Sequence, residues 1–324
     1  MAGLCEGGQV SSKQQTDPQR PGSLLLPHCV LRFPAVRTGR MDSVQLNNGV
    51  EMPLLGLGTH RLRGYEAVYR ALDAALGHGY RSVDTASVYG NEADIGRALA
   101  ELLPRHGLSR ADVFITSKLS PADQGERAEE GALRSVETLG CSYLDLYLIH
   151  WPGRQGWKSE DPRNPGCRRR SWEALEGLYK RGLFRALGVS NYTEGHLREL
   201  LAHCRVPPAV LQVEYHPHLV QSGLLAFCAE HGLHLQAYSS LGTGCLLEEP
   251  QVQALASAYG RSPAQVLLRW AVQQGVGVIP KSANAERVAA NARLFDFCLA
   301  PEDAELLTGL HSDSHYCWDP RAVV

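Results

Sequence analysis

The sequence predicts a (β/α)8 barrel with an N-terminal β-hairpin closing its bottom. Three observations carry this prediction. From Ser43 onward, strand-like runs alternate with amphipathic, helix-like segments through eight units. The strand runs are almost continuously apolar, as in parallel strands buried on both faces. The units together fill about 250 residues, the usual size of such a barrel. An open doubly wound sheet should instead begin with a glycine-rich phosphate turn. Here "GLGTHRL" (56–62) lacks the third glycine of that fingerprint, and no other stretch supplies it.

The elements follow in order. "SVQLNNGVEMPLL" (43–55) sets Asn-Gly between two apolar stretches, which is a hairpin signal. The eight strand runs are then "LLGLG" (54–58), "YRSVD" (80–84), "VFITSK" (113–118), "YLDLYLIH" (143–150), "FRALGVS" (184–190), "AVLQVEY" (209–215), "LHLQAYS" (233–239) and "VGVIPK" (276–281). Segments such as "GYEAVYRALDAALGHG" (64–79) and "NEADIGRALAELLPRHG" (91–107) separate them, each closing on the glycine that often ends a helix.

Bulk properties narrow the function. Lys+Arg 32 against Asp+Glu 34 leaves a net charge of -2, so no strong field attracts nucleic acid or an anionic membrane. No apolar run approaches the ~20 residues needed to span a bilayer. The nine cysteines are scattered, with no C-x-x-C pair and no zinc spacing, which fits reduced thiols and a cytoplasmic location. "NYT" at 191–193 matches a glycosylation acceptor that has no meaning in that compartment. Residues 1–40 are polar and rich in Gly, Gln and Pro, then carry scattered Arg; a disordered extension ahead of a domain spanning 41–324 is expected, with a transit peptide as the alternative.

In such barrels the chemistry gathers at the C-terminal ends of the strands. That position holds Thr59, Asp84, Lys118, His150, Ser190 with Asn191, Gln212, Tyr238 and Lys281. Each has an ordinary reading: Asp84 as a helix N-cap, Lys118 as a solvated strand end, His150 as a satisfied core histidine, and Tyr89 as loop packing. Convergence on one mouth outweighs those readings. A tyrosine near its usual pKa of ~10 releases a proton reluctantly at neutral pH, and a nearby ammonium lowers that value. Lys118 can be that ammonium, Asp84 can hold it charged, and a neutral His150 can donate a hydrogen bond to a carbonyl oxygen. Such a group protonates an oxygen as negative charge builds on it. It lacks a nucleophile, a metal or a source of electrons.

At these residues the chain resembles the aldo-keto reductase superfamily. The matching motifs are "GLGTH" (56–60), "SVDTASVYGNE" (82–92), "FITSKL" (114–119), "YLDLYLIHWP" (143–152), "ALGVSNY" (186–192), "LQVEYHP" (211–217), "AYSSLGTG" (237–244), "IPKS" (279–282) and "AERVAANARLFDF" (285–297). The resemblance implies NADPH/NADP+ bound without a Rossmann domain, no metal, and a monomer. Asp84, Tyr89, Lys118 and His150 would be catalytic, with hydride passing to the carbonyl carbon while Tyr89 protonates the oxygen. Ser190, Asn191 and Gln212 would bond the nicotinamide carboxamide, and Tyr238 would stack on its ring. Ser239, Leu241 and Gly242 of the "SSLGTG" loop would follow the pyrophosphate. Lys281, Ser282 and Arg287 would take the 2′-phosphate, and Gly58, Thr59, Asp84 and Asn291 would complete the cofactor contacts. Substrate would meet His60, Tyr89, His150 and Trp151, with Trp157 either reaching it or lying on the surface.

Some positions depart from the family pattern. Ser240 stands in place of a common Pro, Ala290 in place of a Glu that contacts adenine, and His60 in place of an aromatic pocket residue. A more polar substrate is the consequence expected of His60. The tail "HSDSHYCWDPRAVV" (311–324) is short and resembles the branch of glyoxal and diketogluconate reductases and prostaglandin F synthase-like members. An open pocket accepting small reactive aldehydes or dicarbonyls is expected, with prostaglandin-type substrates also considered. The alternative is a non-catalytic, NADPH-binding regulatory subunit. Weaker readings are a metal site at His216 and His218 and a nucleophile elbow at "GVSNY" (188–192). The "RRR" run (168–170) reads as a solvated loop.

Overall fold

The structure, a computed structural model, describes residues 42–324, so the expected extension at 1–40 lies outside the described residues. The chain opens with a hairpin, β1 (Ser43–Gln45) antiparallel to β2 (Glu51–Pro53). Gly49, at φ 84°, reverses the chain, a backbone state that glycine reaches without steric cost.

Eight parallel strands follow in sequence order: β3 (Leu57–Gly58), β4 (Ser82–Asp84), β5 (Phe114–Leu119), β6 (Leu144–Ile149), β7 (Phe184–Ser190), β8 (Val210–Glu214), β9 (His234–Tyr238) and β10 (Gly277–Val278). The ring closes between the first and the last. Val278 N–H donates to Leu54 O at 2.7 Å, Gly56 N–H to Val278 O at 2.9 Å, and Gly58 N–H to Pro280 O at 3.1 Å. A Cβ on Gly58 would sit 2.5 Å from Ile279 O, so only glycine permits this closure.

The helices form the outer layer: α1 (Tyr65–Gly77), α2 (Glu92–Arg105), α3 (Ala128–Thr138), α4 (Asn164–Lys180), α5 (Glu194–Leu201), α6 (Ser222–Glu230), α7 (Pro250–Tyr259), α8 (Pro263–Gln273), α9 (Ala285–Ala292) and α10 (Pro301–Thr308). Eight repeats required eight helices; the described residues hold two more, because both α7 and α8 lie between β9 and β10 and α10 follows α9. The amphipathic stripe of α1 is one that turns inward. On α1, Val68, Ala71, Leu72, Ala75 and Leu76 are buried, the 3–4 spacing of one helix face. Burial of a large apolar side chain is worth about 1.5–3 kcal/mol, so this layer holds the barrel together.

Inside the barrel, side chains on each strand alternate between lumen and helix layer. Leu46 and Met52 of the hairpin pack with Phe114, Leu146, Leu148 and Val210 in an apolar floor. Asn47 and Asn48 tie the hairpin down by donating to Pro208 O and Arg185 O, both at 2.9 Å. The same faces carry polar groups higher up. Phe114 and Lys118 share one face of β5, and Leu146 and Leu148 share their face with His150 just past β6. An apolar floor under a polar rim follows from that alternation, and it sets the site at the C-terminal ends of the strands.

Candidate active site

Lys118 is fully buried (0 % exposed). Its Nζ donates to Asp84 Oδ1 at 2.6 Å and to Thr85 O at 2.8 Å, and lies 3.5 Å from the Tyr89 hydroxyl. Burial opposes its charge; Asp84 and then Tyr89 outweigh burial and raise its pKa above the usual lysine value. Asp84 is buried too, and its other oxygen, Oδ2, accepts from Gln212 Nε2 at 2.8 Å. Gln212 Nε2 also donates to Gln236 Oε1 at 2.8 Å.

Tyr89 is brought back over this pair by a short 3₁₀ turn, Ser87–Tyr89, closed by Gly90 at φ 67°. Asn91 fixes the loop: its Nδ2 donates to Thr59 O at 2.9 Å and Leu62 O at 3.1 Å, while its Oδ1 accepts from Thr85 at 2.8 Å. Thr59 in turn donates to Asp84 O at 2.9 Å. The expectation that Lys118 lowers the Tyr89 pKa meets a correction here. Burial comes first and pushes the phenol above its ordinary value; Lys118 opposes it, but Asp84 adds to the rise. The lysine acts in the expected direction and is outweighed.

His150 closes the fourth side, its ring centroid 5.7 Å from that of Tyr89 in an edge-on arrangement. Burial, then Lys118 and His60, hold its pKa well below the usual histidine value, so the ring is neutral at pH 7. Its Nδ1 is buried without a partner. A bare buried N–H costs about 1–3 kcal/mol, which favours the tautomer carrying the proton on Nε2. The group can therefore offer two donors, Tyr89 O–H and His150 Nε2–H, to one oxygen.

Other expected residues gather around this centre. Ser190 ends β7, and Asn191 follows it in the left-handed region at φ 64°. Asn191 is already committed to protein partners. Its Nδ2 donates to His150 O at 2.9 Å and Ser190 Oγ at 3.1 Å, and its Oδ1 accepts from the Tyr238 hydroxyl at 2.6 Å. Ser239 (φ 51°) and Gly242 (φ 57°) shape the loop after β9, which also carries Leu241. Lys281 and Arg287 are exposed and form no ion pair among the described residues. Ser282 and Asn284 order the start of α9, where Asn284 Oδ1 accepts from Arg287 N at 2.9 Å, and Asn291 is buried further along the helix.

The mouth is lined by Val88, Trp151, Trp157, Trp318 and Val323, among others. His60 packs against the phenol itself, its ring 5.0 Å from that of Tyr89. Trp157, ambiguous in the sequence, reaches the mouth and stacks under Arg163 at 4.2 Å. The 311–324 segment supplies one wall of the mouth: Trp318 meets Trp151 at 4.8 Å between ring centroids. His216 and His218 go to other partners, Glu214 Oε1 at 3.0 Å and the Tyr316 hydroxyl at 2.9 Å. The "RRR" run is helical rather than a loop, and Arg169 and Arg170 are solvated as expected, but Arg168 is not. The run lies on α4, and Arg168 is buried against Glu199 and Val324 O, both at 2.6 Å. Asn91, Gln236 and the 311–324 segment carried no local signal of these contacts.

Comparison with known proteins agrees with this geometry. A family model described as "Aldo/keto reductase family" matches residues 54–311. Glyoxal reductase of Bacillus subtilis is 42% identical over 288 residues, 89% of this chain and 99% of that protein. Aldo-keto reductase family 1 member A1 of Homo sapiens is 42% identical over 294 residues, 84% and 90% of the two chains. The crystal structure of a Bombyx mori aldo-keto reductase in complex with NADP superposes with a TM-score of 0.79 at 30% identity, covering 86% of this chain and 95% of that one. The closed parallel barrel, the residues at its rim and these matches agree: this chain belongs to the aldo/keto reductase family.

Proposed function

We propose that this chain reduces aldehydes and ketones to alcohols with NADPH, Tyr89 supplying the proton. The observation that carries the reading is the buried Asp84–Lys118 pair reaching the Tyr89 hydroxyl beside a neutral His150. A regulatory barrel that only binds cofactor has no need of a charge pair aimed at a phenol.

The residues present fit the dinucleotide. Lys281 and Arg287 are cations without ion-pair partners among the described residues, beside the N-terminus of α9, suited to a phosphate dianion. Gln212 donates only through Nε2, so its Oε1 is available to accept from a carboxamide. Ser190, Asn191 and Tyr238 would flank the nicotinamide, Ser239, Leu241 and Gly242 the pyrophosphate, and Gly58, Thr59, Ser282 and Asn291 the remaining edges. When bound, NADPH supplies the hydride that reaches the carbonyl carbon. Tyr89 and His150 hold the carbonyl oxygen between two donors, and the Tyr89 proton passes to it as charge develops. Lys118 steadies the phenolate left behind, and Asp84 keeps Lys118 charged and in place.

Small reactive aldehydes and dicarbonyls are the proposed substrates. The indoles of Trp151 and Trp318 narrow the mouth, His60 adds a polar edge, and a relative at 42% identity is named for glyoxal. The test follows NADPH oxidation by its absorbance against glyoxals, aromatic aldehydes, prostaglandins and a steroid ketone, with Tyr89→Phe alongside. Turnover of the small carbonyls that collapses in the variant while NADPH still binds is the expected result. Tight NADPH binding without turnover by either protein would favour the regulatory subunit, and reduction of the steroid alone would overturn the substrate class.

A further inference from the structure

Glu214 ends β8 at the barrel rim, and the reaction proposed above gives it no part. It is buried, yet both its oxygens are committed to a segment 102 residues downstream. Oε1 accepts the Tyr316 N–H at 2.7 Å and lies 3.0 Å from His216 Nε2. Oε2 accepts the Cys317 N–H at 3.2 Å and lies 3.4 Å from His315 Nδ1. Burial would raise this carboxyl, but the bonds from His216 and the Tyr316 amide outweigh it and hold the pKa below the ordinary range. A charged carboxylate gripping two consecutive backbone amides makes stronger bonds than a neutral acceptor could.

The residue after this grip is Trp318, half exposed (50 %) and part of the mouth wall. A second grip follows it. Val323 O accepts from His196 Nε2 at 2.8 Å, and Val324 O from Arg168 Nη1 at 2.6 Å. An indole this exposed, held by its ring contacts alone, would hop between rotamers. Fixing the backbone on both sides removes the larger of its motions and keeps the ring in reach of Trp151, 4.8 Å away between centroids.

We propose that Glu214 is a positioning residue for substrate selection: by pinning the Tyr316 and Cys317 amides it holds Trp318 in place as the side wall of the carbonyl pocket, favouring small or flat carbonyls over branched ones. This rests on the reading of the mouth beside Tyr89 as the carbonyl seat. Glu214→Gln keeps the shape, removes the charge and turns an N–H toward one of the two amides. It should raise KM for a glyoxal about tenfold with kcat within about threefold, while a branched aromatic ketone is unaffected or improved. Trp318→Ala should give the same substrate-by-substrate pattern, and the double variant should be no worse than Trp318→Ala alone, because the two act as one unit.

A uniform loss of kcat across the panel, an unchanged KM pattern, or additive effects in the double variant would overturn the proposal. Amide hydrogen exchange supplies an arm independent of turnover and of whether Glu214→Gln folds. In the wild-type protein the Tyr316 and Cys317 amides should be protected, and exchange there at unstructured rates would overturn the anchor. A wild-type protein that turns over no carbonyl would defeat the reductase reading instead, leaving the exchange result to judge the anchor.

Discussion

Gln212 Nε2 donates to Asp84 Oδ2 at 2.8 Å, joining two residues 128 positions apart in the chain. A side chain expected to serve only the cofactor therefore also holds the carboxylate that holds Lys118. The barrel makes this pairing: β8 stands across the lumen from β4, and both residues face inward at its rim.

Gln212→Leu should consequently damage more than cofactor binding. It leaves Asp84 Oδ2 and Gln236 Oε1 without their donor, and an unsatisfied buried acceptor costs about 1–3 kcal/mol. Chemical denaturation should register a loss in that range, together with weaker NADPH binding. A variant as stable as wild type, impaired in cofactor affinity alone, would show that Asp84 does not depend on this bond.

Removing the ammonium separates charge burial from chemistry. Lys118→Met strands Asp84 as a buried charge, a change worth about 3–5 kcal/mol of stability. The double variant Lys118→Met with Asp84→Asn should regain much of that stability. It should stay at least about 10²-fold slower than wild type, since general acid catalysis contributes on that scale. Recovery of turnover along with stability would mean that the pair serves only the fold.

The pKa directions fix the shape of the pH profile. His150 is held well below the usual histidine value, so its neutral, donating form persists as pH falls through 6.5 and is lost only at lower pH. Tyr89 is held above the usual tyrosine value, so the acid remains protonated as pH rises through 10. The value of kcat/KM for reduction should therefore be flat from about pH 6 to about pH 9. A titration near pH 7 to 8 that disappears in Tyr89→Phe would contradict the raised phenol.

Lys281 and Arg287 are predicted to choose between the two dinucleotides. Each lost charge-assisted bond is worth about 1.5–3 kcal/mol, so Arg287→Ala should raise the KM for NADPH about tenfold or more. The KM for NADH, which has no 2′-phosphate, should barely move. Equal losses with both dinucleotides would place Arg287 elsewhere on the cofactor.

The alternation of apolar runs and amphipathic segments is local, and so is the identity of the residue that ends each run. That is why all eight barrel strands, the hairpin at Asn48-Gly49 and the set Asp84, Lys118 and His150 could be read directly from the sequence. Even Tyr89 was legible, five positions beyond Asp84 in a loop too short to carry it away. Other relationships exist only once the ring has closed. The grip of Glu214 on Tyr316, the burial of Arg168 within an apparently solvated basic run, and the commitment of Asn191 to Tyr238 all join distant segments, and no periodicity encodes them. The net direction of the Tyr89 pKa belongs with these. The sequence supplies the ammonium that lowers it, but the desolvation that outweighs the ammonium comes from walls built by every strand at once.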